Sequence, residues 1–227
     1  MTAMVKICGL SDPAALEAAL AAGADMVGFV FFPKSPRHVG LEGALALGAQ
    51  ARGRARIVAL TVDADDEALR CIVEALNPDI LQLHGRENPG RVKEIGARFG
   101  RPTMKAVGVA GRQDFAAVAL YETAADLILI DAKPPREAAL PGGNGRPFDW
   151  ALARGFVTRR PWLLSGGLNP GNVAQAIALT KALGVDVSSG VERAPGVKDE
   201  GKIRAFVAAA RAAFARVDDR EASDEQA

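Results

Sequence analysis

Three side chains that can exchange protons stand at the ends of short apolar segments of this sequence. Cys8, His84 and Asp131 each close one such segment. A thiolate is a strong base, a protonated carboxyl group is an acid, and an imidazole can act as either near neutral pH. Taken alone, Cys8 is better interpreted as a small buried hydrophobic residue, and Asp131 could simply cap a loop. Brought to one place, the three groups could perform acid–base chemistry.

Two turns rich in glycine and serine have the composition of a phosphate site. The first follows the apolar run Trp162–Leu164, and the second follows the next run, Val185–Val187. Glycines let backbone N–H groups approach an anion closely, and neighbouring helix N-termini add partial positive charge. A single Gly-Gly pair could merely permit a tight turn, but two such turns after successive strands favour phosphate binding. The predicted phosphate-binding residues are Gly166, Gly167, Ser188, Ser189 and Gly190.

A repeating pattern of strands and helices must position these residues. Eight short runs, β-branched or rich in leucine, alternate with helical segments, which is typical of buried parallel strands. The pattern predicts an α/β fold, a single (β/α)8 TIM barrel over residues 1–217. A doubly wound open sheet is the alternative, but no G-x-G-x-x-G follows the first strand. The predicted strands are Met4–Cys8, Met26–Phe32, Ile57–Val62, Ile80–His84, Met104–Val109, Leu127–Asp131, Trp162–Leu164 and Val185–Val187.

Capping signals set the predicted helix ends in the last third of the chain. The helix after the seventh strand is expected to begin with Asn169 as N-cap and Pro170 at its first position, and to run to Gly184. A short helix is expected from Asp149, and the last helix is predicted over Lys202–Ala215.

Two segments fall outside the regular pattern. The Pro- and Gly-rich loop 134–147 is either a lid that closes over a substrate or a disordered insertion, and its glycines suit a lid. Residues 218–227 are charged and poor in apolar side chains, so we expect a disordered tail.

Strand periodicity predicts which side chains face the interior of the barrel. Because side chains alternate along a strand, Cys8 and Lys6 should point inward together, as should His84 and Asp131 at the ends of their strands. An unpaired buried ammonium is costly, so Lys6 requires a carboxylate partner, for which Asp186 is the candidate.

Composition restricts the class of protein. The 227 residues are 49% hydrophobic with a net charge of +1, which argues for one large core and against nucleic acid or an anionic membrane as partner. No apolar run could span a bilayer, and no secretion signal begins the chain, so we expect a cytoplasmic protein. The two distant cysteines indicate a reducing compartment, and the spacing of a structural zinc site is absent. No exposed apolar stripe stands out, which favours a monomer.

The chain resembles the phosphoribosylanthranilate isomerase family in seven segments that occur in order along residues 4 to 212. Any one of these motifs would be weak, whereas seven in register are specific. One departure is Ala132, where family members often carry a small hydroxyl residue, and the charged tail is another. The matching segments are KICG at 6–9, GFVF with PKSPR at 28–37, LQLHG at 81–85, DAK at 131–133, GGNG running to FDW at 142–150, LSGGLNP at 164–170 and DVSSGVE at 186–192.

This resemblance implies an Amadori rearrangement of N-(5-phosphoribosyl)anthranilate in tryptophan biosynthesis. An acid protonates the furanose ring oxygen, the sugar opens to an iminium ion, and a base then removes the proton at C2. The family pattern assigns the base to Cys8 and the acid to Asp131. A thiolate requires positive potential nearby, and a carboxyl group that keeps its proton near neutral pH requires desolvation or nearby negative charge. No cofactor or metal is implied.

The substrate's anthranilate carboxylate requires a second anionic anchor across the mouth from the phosphate. Arg37, in the loop after the second strand, is the predicted anchor, because a guanidinium meets a carboxylate through two parallel hydrogen bonds. A solvated loop arginine is the alternative interpretation of Arg37. His84 is expected either to line the site without transferring protons or to be a structural mouth residue.

Other functions remain open. Indole-glycerol-phosphate synthase and similar phosphosugar barrels use other polar residues at the ends of the first two strands. A metal-dependent sugar-phosphate epimerase would require a larger ligand cluster than His84 and Asp131 provide. A non-catalytic phosphate-binding barrel could keep the Gly and Ser turns but would have no need of Cys8 together with Asp131.

Overall fold

Eight parallel strands close into a barrel in which each strand pairs with its neighbours in chain order. The computed structural model describes residues 3–133 and 149–224, with side chains up to residue 217. The last strand pairs with the first from Met4 opposite Gly184 to Ile7 opposite Val187, which closes the barrel. The barrel strands are β1 (Met4–Cys8), β2 (Met26–Phe31), β3 (Arg56–Thr61), β4 (Ile80–Leu83), β5 (Thr103–Val109), β6 (Leu127–Ala132), β7 (Trp162–Leu164) and β8 (Gly184–Val187).

Helices cover the outside of the barrel. Their bounds are α1 (Pro13–Ala21), α2 (Leu41–Ala51), α3 (Asp66–Leu76), α4 (Pro89–Phe99), α5 (Ala116–Tyr121), α6 (Val173–Thr180) and α7 (Glu200–Asp224). Four of them begin at side-chain caps: Asp12, Asp65, Asn88 and Asp199 each accept a hydrogen bond from a backbone N–H of the first turn. The (β/α)8 barrel predicted from the strand pattern is therefore confirmed.

The alternation of side chains divides the core into two layers. Val5 and Ile7 of β1 point outward and pack among the helices. The inner layer holds apolar side chains from six strands: Met26, Val58, Ile80, Met104, Ala106, Leu127, Leu129 and Leu163. Cys8 lies nearer the C-terminal mouth, against Val30 and Leu60. The lumen is thus a packed core, and the predicted proton-transfer groups lie above it.

Aspartates at the opposite, N-terminal end fasten neighbouring strands. Asp25, Asp79 and Asp126 each accept a backbone N–H from the first or second residue of the preceding strand, at 2.6 to 2.8 Å. Each residue precedes a strand by one position, so the same short signal satisfies an otherwise orphaned donor at three places. This end of the barrel is built for stability.

The predicted start and end of α6 are wrong. The side chain of Asn169 accepts from the N–H of Gly171, and Asn172 accepts from the N–H of Asn169, so 169–172 form a turn and the helix begins at Val173. These local side-chain bonds compete with a helical first turn. The helix ends at Thr180, and its C-cap, Lys181, adopts the left-handed conformation with φ 55°. Gly184 belongs to β8, where a Cβ would lie 2.9 Å from the carbonyl oxygen of Met4.

Three further segments complete the comparison with the sequence pattern. The short helix expected from Asp149 is a 3-10 turn, Trp150–Ala153, with Asp149 as its N-cap. A hairpin that the pattern did not predict, β9 (Glu192–Ala194) and β10 (Val197–Lys198), follows β8. The backbone of α7 continues to Asp224, past the predicted start of the tail, and residues 225–227 lie outside the described part. In the part that the structure describes, no helix is both long and apolar enough to cross a bilayer.

Candidate active site

Cys8 ends β1 at the C-terminal mouth of the barrel and is 3% exposed. It pairs in register with Gly28 of β2, where a Cβ would lie 2.9 Å from the Cys8 Sγ. A side chain at position 28 would therefore displace the thiol. Gly28 explains why this sulfur fits inside the barrel in a layer otherwise filled by Val30 and Leu60.

A row of buried polar groups lies directly beneath Cys8. Lys6 is fully buried, and its Nζ lies 2.7 Å from Oδ1 of Asp186 on β8. The predicted pairing of Lys6 with Asp186 is therefore confirmed. The second oxygen of Asp186 accepts from the hydroxyl of Ser165 at the end of β7, at 3.1 Å. The ammonium of Lys6 also acts electrostatically on the thiol of Cys8, which stands two residues further along the same face of β1.

Burial and charge act in opposite directions on the thiol. Burial raises the pKa of Cys8 most strongly, the ammonium of Lys6 lowers it, and the carboxylate of Asp186 raises it again. A smaller lowering comes from Lys198 on β10. The net pKa of Cys8 lies above its ordinary value, so the thiolate depends on the nearby cations.

Asp131 lies near the C-terminal end of β6, on the side that faces the barrel interior, and is 7% exposed. Its Oδ1 accepts from the N–H of Ala132 at 2.8 Å, and its Oδ2 lies 3.3 Å from Nε2 of His84. The other nitrogen of His84, Nδ1, lies 3.1 Å from Nε2 of Gln82. The sequence pattern brought His84 to the mouth but gave no sign of its contact with Asp131.

A buried ion pair stabilises the loop that carries His84. Lys105 of β5 lies 2.7 Å from Glu87 and also donates to the carbonyl oxygens of Leu83 and Gly85. Glu87 in turn accepts the N–H groups of Gly85 and Asp63 at 2.9 Å each. The loops after β3 and β4 are thereby held together, which fixes the backbone on which His84 stands.

Arg37 is held in a buried ion pair. Its Nε lies 2.7 Å from Oε1 of Glu192, and its Nη2 lies 2.9 Å from Oε2 of the same carboxylate. The residue is 6% exposed, so the alternative of a solvated loop arginine is wrong. The pair joins the loop after β2 to the hairpin after β8, and the role of Arg37 toward a substrate carboxylate stays a prediction.

The same carboxylate binds a second cation that the sequence analysis missed. Lys198 of β10 lies 2.8 Å from Oε1 of Glu192 and donates to the carbonyl and hydroxyl oxygens of Ser188. Glu192 and Lys198 therefore connect Arg37 to the second predicted phosphate turn. Glu192 was part of the recognised DVSSGVE segment, and a charged residue directly after that turn was the available signal.

The two predicted phosphate turns lie side by side at the mouth. Gly166 and Gly167 have backbone φ angles of 85° and 72°, which residues other than glycine rarely adopt. A Cβ at Gly190 would collide with the carbonyl oxygen of Leu168, so glycine is required where the second turn meets the first. Within the described part of the chain, the backbone N–H groups of Gly166, Gly167, Ser189 and Gly190 donate no hydrogen bond.

Gly166 also brings the first turn to the candidate acid. A Cβ there would lie 2.7 Å from the N of Ala132 and 3.2 Å from Oδ1 of Asp131. The indole nitrogen of Trp150 donates to the Gly166 carbonyl at 3.4 Å. The predicted lid 134–147 and most of the segment 142–150 lie outside the described residues. Among the residues that are described, no group of three or more His, Cys, Asp and Glu side chains could hold a metal ion.

The closed parallel barrel, with ionisable side chains gathered at its C-terminal mouth, defines the (β/α)8-barrel class of enzymes. Residues 5–209 match the model of the N-(5'-phosphoribosyl)anthranilate isomerase family. The chain belongs to this family, whose members are enzymes, and it is itself an enzyme.

Individual relatives agree with the family model. An N-(5'-phosphoribosyl)anthranilate isomerase from Rhodopseudomonas palustris strain HaA2 is 61% identical over 212 residues, which are 93% of this chain and 97% of that protein. The crystal structure of phosphoribosyl anthranilate isomerase from Thermotoga maritima has a TM-score of 0.83 at 35% identity and covers 93% of this chain and all of its own. A further isomerase structure contains reduced 1-(o-carboxyphenylamino)-1-deoxyribulose 5-phosphate. Its TM-score is 0.79 at 33% identity, over 93% of this chain and 100% of its own.

Proposed function

We propose that this protein converts N-(5'-phosphoribosyl)anthranilate to 1-(2-carboxyphenylamino)-1-deoxyribulose 5-phosphate in tryptophan biosynthesis, by an Amadori rearrangement. Cys8 is the general base and Asp131 the general acid. Membership of the family supports the substrate and the product. The observation that carries the mechanism is the presence, at one barrel mouth, of a buried thiol beside an ammonium and a nearly buried carboxyl group beside an imidazole.

Asp131 acts first in this mechanism. Its protonated carboxyl group donates to the furanose ring oxygen, the C1–O bond breaks, and the nitrogen lone pair forms the iminium ion. The Oδ1 of Asp131 is occupied by the N–H of Ala132, so Oδ2, near His84, is the oxygen that carries the proton. His84 lines the site and orients this oxygen in the proposal, and it exchanges no proton with the substrate.

Cys8 acts second. Its thiolate takes the proton from C2, the C1=N bond becomes a single bond, and a C1=C2 enolamine forms. Tautomerisation of the enolamine then gives the ketone. A thiolate is the strongest base available at this mouth, and positive charge beside it favours the ionised form. Lys6 lies at the position from which such a charge acts.

The two turns after β7 and β8 bind the phosphate. The proposed ligands are the N–H groups of Gly166, Gly167, Ser189 and Gly190 with the hydroxyl of Ser188 nearby. The four N–H groups donate to no acceptor within the described part of the chain, and the hydroxyl of Ser188 accepts from Lys198. A phosphate accepts several such bonds at once, and the glycine conformations leave the N–H groups accessible.

Arg37 binds the anthranilate carboxylate in the proposal. Glu192 holds the guanidinium through two bonds, which fixes its orientation at the mouth of the barrel. Lys198 offsets the charge of Glu192, so the cluster of Arg37, Glu192 and Lys198 keeps a net positive charge on the side facing an anionic substrate.

The reaction requires no metal and no cofactor, because each step is a proton transfer at a carbonyl-type centre. We expect the protein to act as a monomer in the cytoplasm, on a small phosphosugar and without nucleic acid or membrane as partner.

A direct assay tests the proposed function. The pure protein is incubated with N-(5'-phosphoribosyl)anthranilate, and the loss of anthranilate fluorescence is followed together with the appearance of the ribulose product by mass. Turnover with stoichiometric product supports the proposal. Binding of the substrate without turnover would instead favour a non-catalytic phosphate-binding barrel.

A further inference from the structure

Lys6 and Asp186 form a buried ion pair inside a barrel whose lumen is lined mainly by apolar side chains. Lys6 is fully buried and Asp186 is 5% exposed, and the inner layer around them consists of side chains such as Met26 and Leu163. A buried ion pair contributes little net stability, because desolvation offsets the attraction, and apolar residues of similar volume are often as stable. The fold alone therefore gives no reason for placing these two charges there.

The strand geometry directs Lys6 at Cys8. The two side chains stand on the same face of β1, two residues apart, and Lys6 pairs in register with Asp186 across the β1–β8 seam. Gly28 leaves room for the sulfur on the other side, over β2. Lys6 thus donates to Asp186 from the same face of β1 that carries Cys8, close enough for its charge to act on the thiol.

We propose that Lys6 is a positioning residue for the reaction, whose ammonium supplies the positive charge that stabilises the Cys8 thiolate, and that Asp186, bonded to Ser165, holds this ammonium in place. The inference rests on the proposed role of Cys8 as the base.

Several charged groups besides Lys6 affect the pKa of Cys8. Lys6 comes from β1, Asp186 from β8 and Lys198 from the hairpin after β8. Burial raises the pKa of the thiol, and Asp186 raises it further. Lys6 exerts the largest lowering effect and Lys198 a smaller one, so removal of Lys6 leaves the thiol neutral over a wider range of pH.

Lys6 acts as a fixed charge and transfers no proton. Burial lowers its pKa, but the charges of Asp186 and Cys8 raise it by more, so its pKa lies above the ordinary value of a lysine. When Cys8 takes the C2 proton, the thiolate becomes a thiol. The ammonium of Lys6 stays protonated and keeps its hydrogen bond to Asp186. The Cys8 charge changes during the reaction, while the pair beneath it does not.

The titration of the thiol tests this inference without any substrate. A thiolate absorbs at 240 nm and a thiol does not, so the absorbance is followed against pH in a Cys71→Ala background, and the curve of a Cys8→Ser variant is subtracted. Lys6→Met should move the Cys8 titration upward by about one pH unit or more, the effect of losing a close opposite charge. Asp186→Asn should move it downward, because it removes the opposing carboxylate.

The double variant Lys6→Met/Asp186→Asn serves as the matched control for stability. It leaves no unpaired charge in the lumen, so it folds even if Lys6→Met alone does not, and circular dichroism checks this. Its titration should also lie above that of the Cys71→Ala parent, since the effect of Lys6 exceeds that of Asp186. A titration of the double variant at or below the parent's pH would overturn the inference.

Activity separates this inference from the proposed function. If Cys8 is the base, kcat/KM of the double variant near pH 7 falls about tenfold for each unit by which the thiol titration rises. A shifted titration with unchanged kcat/KM would show that Lys6 controls Cys8 but that Cys8 is not the base. An unshifted titration with lost activity would overturn the role of Lys6 and leave the role of Cys8 intact.

Discussion

The guanidinium of Arg37 and the carboxylate of Glu192 meet through two bonds, 2.7 Å from Nε to Oε1 and 2.9 Å from Nη2 to Oε2. The two residues are 155 positions apart in the chain and join the loop after β2 to the hairpin after β8. Because Lys198 binds the same carboxylate and also Ser188, the proposed carboxylate anchor and the proposed phosphate turn share one network. A substrate with an anion at each end would contact both parts of it.

Replacement of Arg37 tests the proposed carboxylate anchor. Loss of a desolvated charge pair costs on the order of 2–5 kcal/mol, so Arg37→Ala should lower kcat/KM for phosphoribosylanthranilate by about 30-fold or more. Arg37→Lys keeps the charge but loses the planar guanidinium, so its kcat/KM should lie between that of the wild type and that of Arg37→Ala. Steady-state kinetics on the three proteins measures this.

An analogue without the anthranilate carboxylate supplies the control. Because Arg37 also pairs with Glu192, its removal affects the fold, and that part of the loss should be the same for both substrates. Two substrates on two proteins give a four-point cycle that isolates recognition of the carboxylate. Equal losses on the two substrates would contradict the proposed anchor.

Gly190→Ala tests the phosphate turns. The new Cβ collides with the carbonyl oxygen of Leu168 and should displace the second turn, so KM and the inhibition constant of inorganic phosphate should both rise by at least about tenfold. Gly43→Ala on the exposed face of α2 is the matched control, since its Cβ would make only ordinary contact at 3.4 Å with Val39. Competitive inhibition by phosphate is the measurement. An unchanged inhibition constant in Gly190→Ala would count against this location of the phosphate.

Much of the fold is encoded by local signals, which explains why it was predictable. All eight barrel strands lie within a residue or so of the predicted bounds, since each is a short apolar run. The start of α6 was not predictable from its cap signal, because the side chains of Asn169 and Asn172 form a turn where Pro170 suggested a helix. The predicted end of the helix at Gly184 was also wrong, because the chain leaves the helix at Lys181 and Gly184 begins β8.

Contacts between distant residues were the part that sequence could not supply. The pairing of Lys6 with Asp186 was predictable, because a buried ammonium requires a carboxylate and strand alternation limits the choice. The contact of His84 with Asp131 and the double pairing of Glu192 depend on strand stagger and on an unpredicted hairpin. The hydrophobic periodicity of a single segment cannot predict either of these two contacts.

The raised pKa of Cys8 predicts how stability depends on pH. A group that holds its proton more tightly in the folded state stabilises the fold below its unfolded pKa, about 8.5 for cysteine, and this contribution is lost as the pH rises through the folded pKa. The free energy of unfolding should therefore fall more between about pH 8 and pH 10 in the wild type than in Cys8→Ser.

Urea denaturation at several pH values gives these free energies. Cys71 is present in both proteins, so its titration cancels in the comparison. A Cys8→Ser variant that loses as much stability as the wild type would show that the folded state does not raise the Cys8 pKa.

Chelation tests the absence of a metal from the mechanism. Proton transfers at a carbonyl-type centre require no Lewis acid, so activity should survive exhaustive dialysis against EDTA. The assay is the fluorescence decrease before and after dialysis, with an added divalent metal as the second condition. Loss of activity that metal restores would favour the epimerase alternative.

The kcat of two single variants tests the acid–base pair most directly. Cys8→Ala and Asp131→Asn are compared with the wild type by the loss of anthranilate fluorescence at saturating phosphoribosylanthranilate, and Cys71→Ala serves as the control cysteine variant. Each of the first two should lower kcat by at least about 10²-fold with little change in substrate binding, the usual effect of removing a positioned acid or base, and Cys71→Ala should leave kcat unchanged. Near wild-type turnover in either Cys8→Ala or Asp131→Asn would contradict the mechanism.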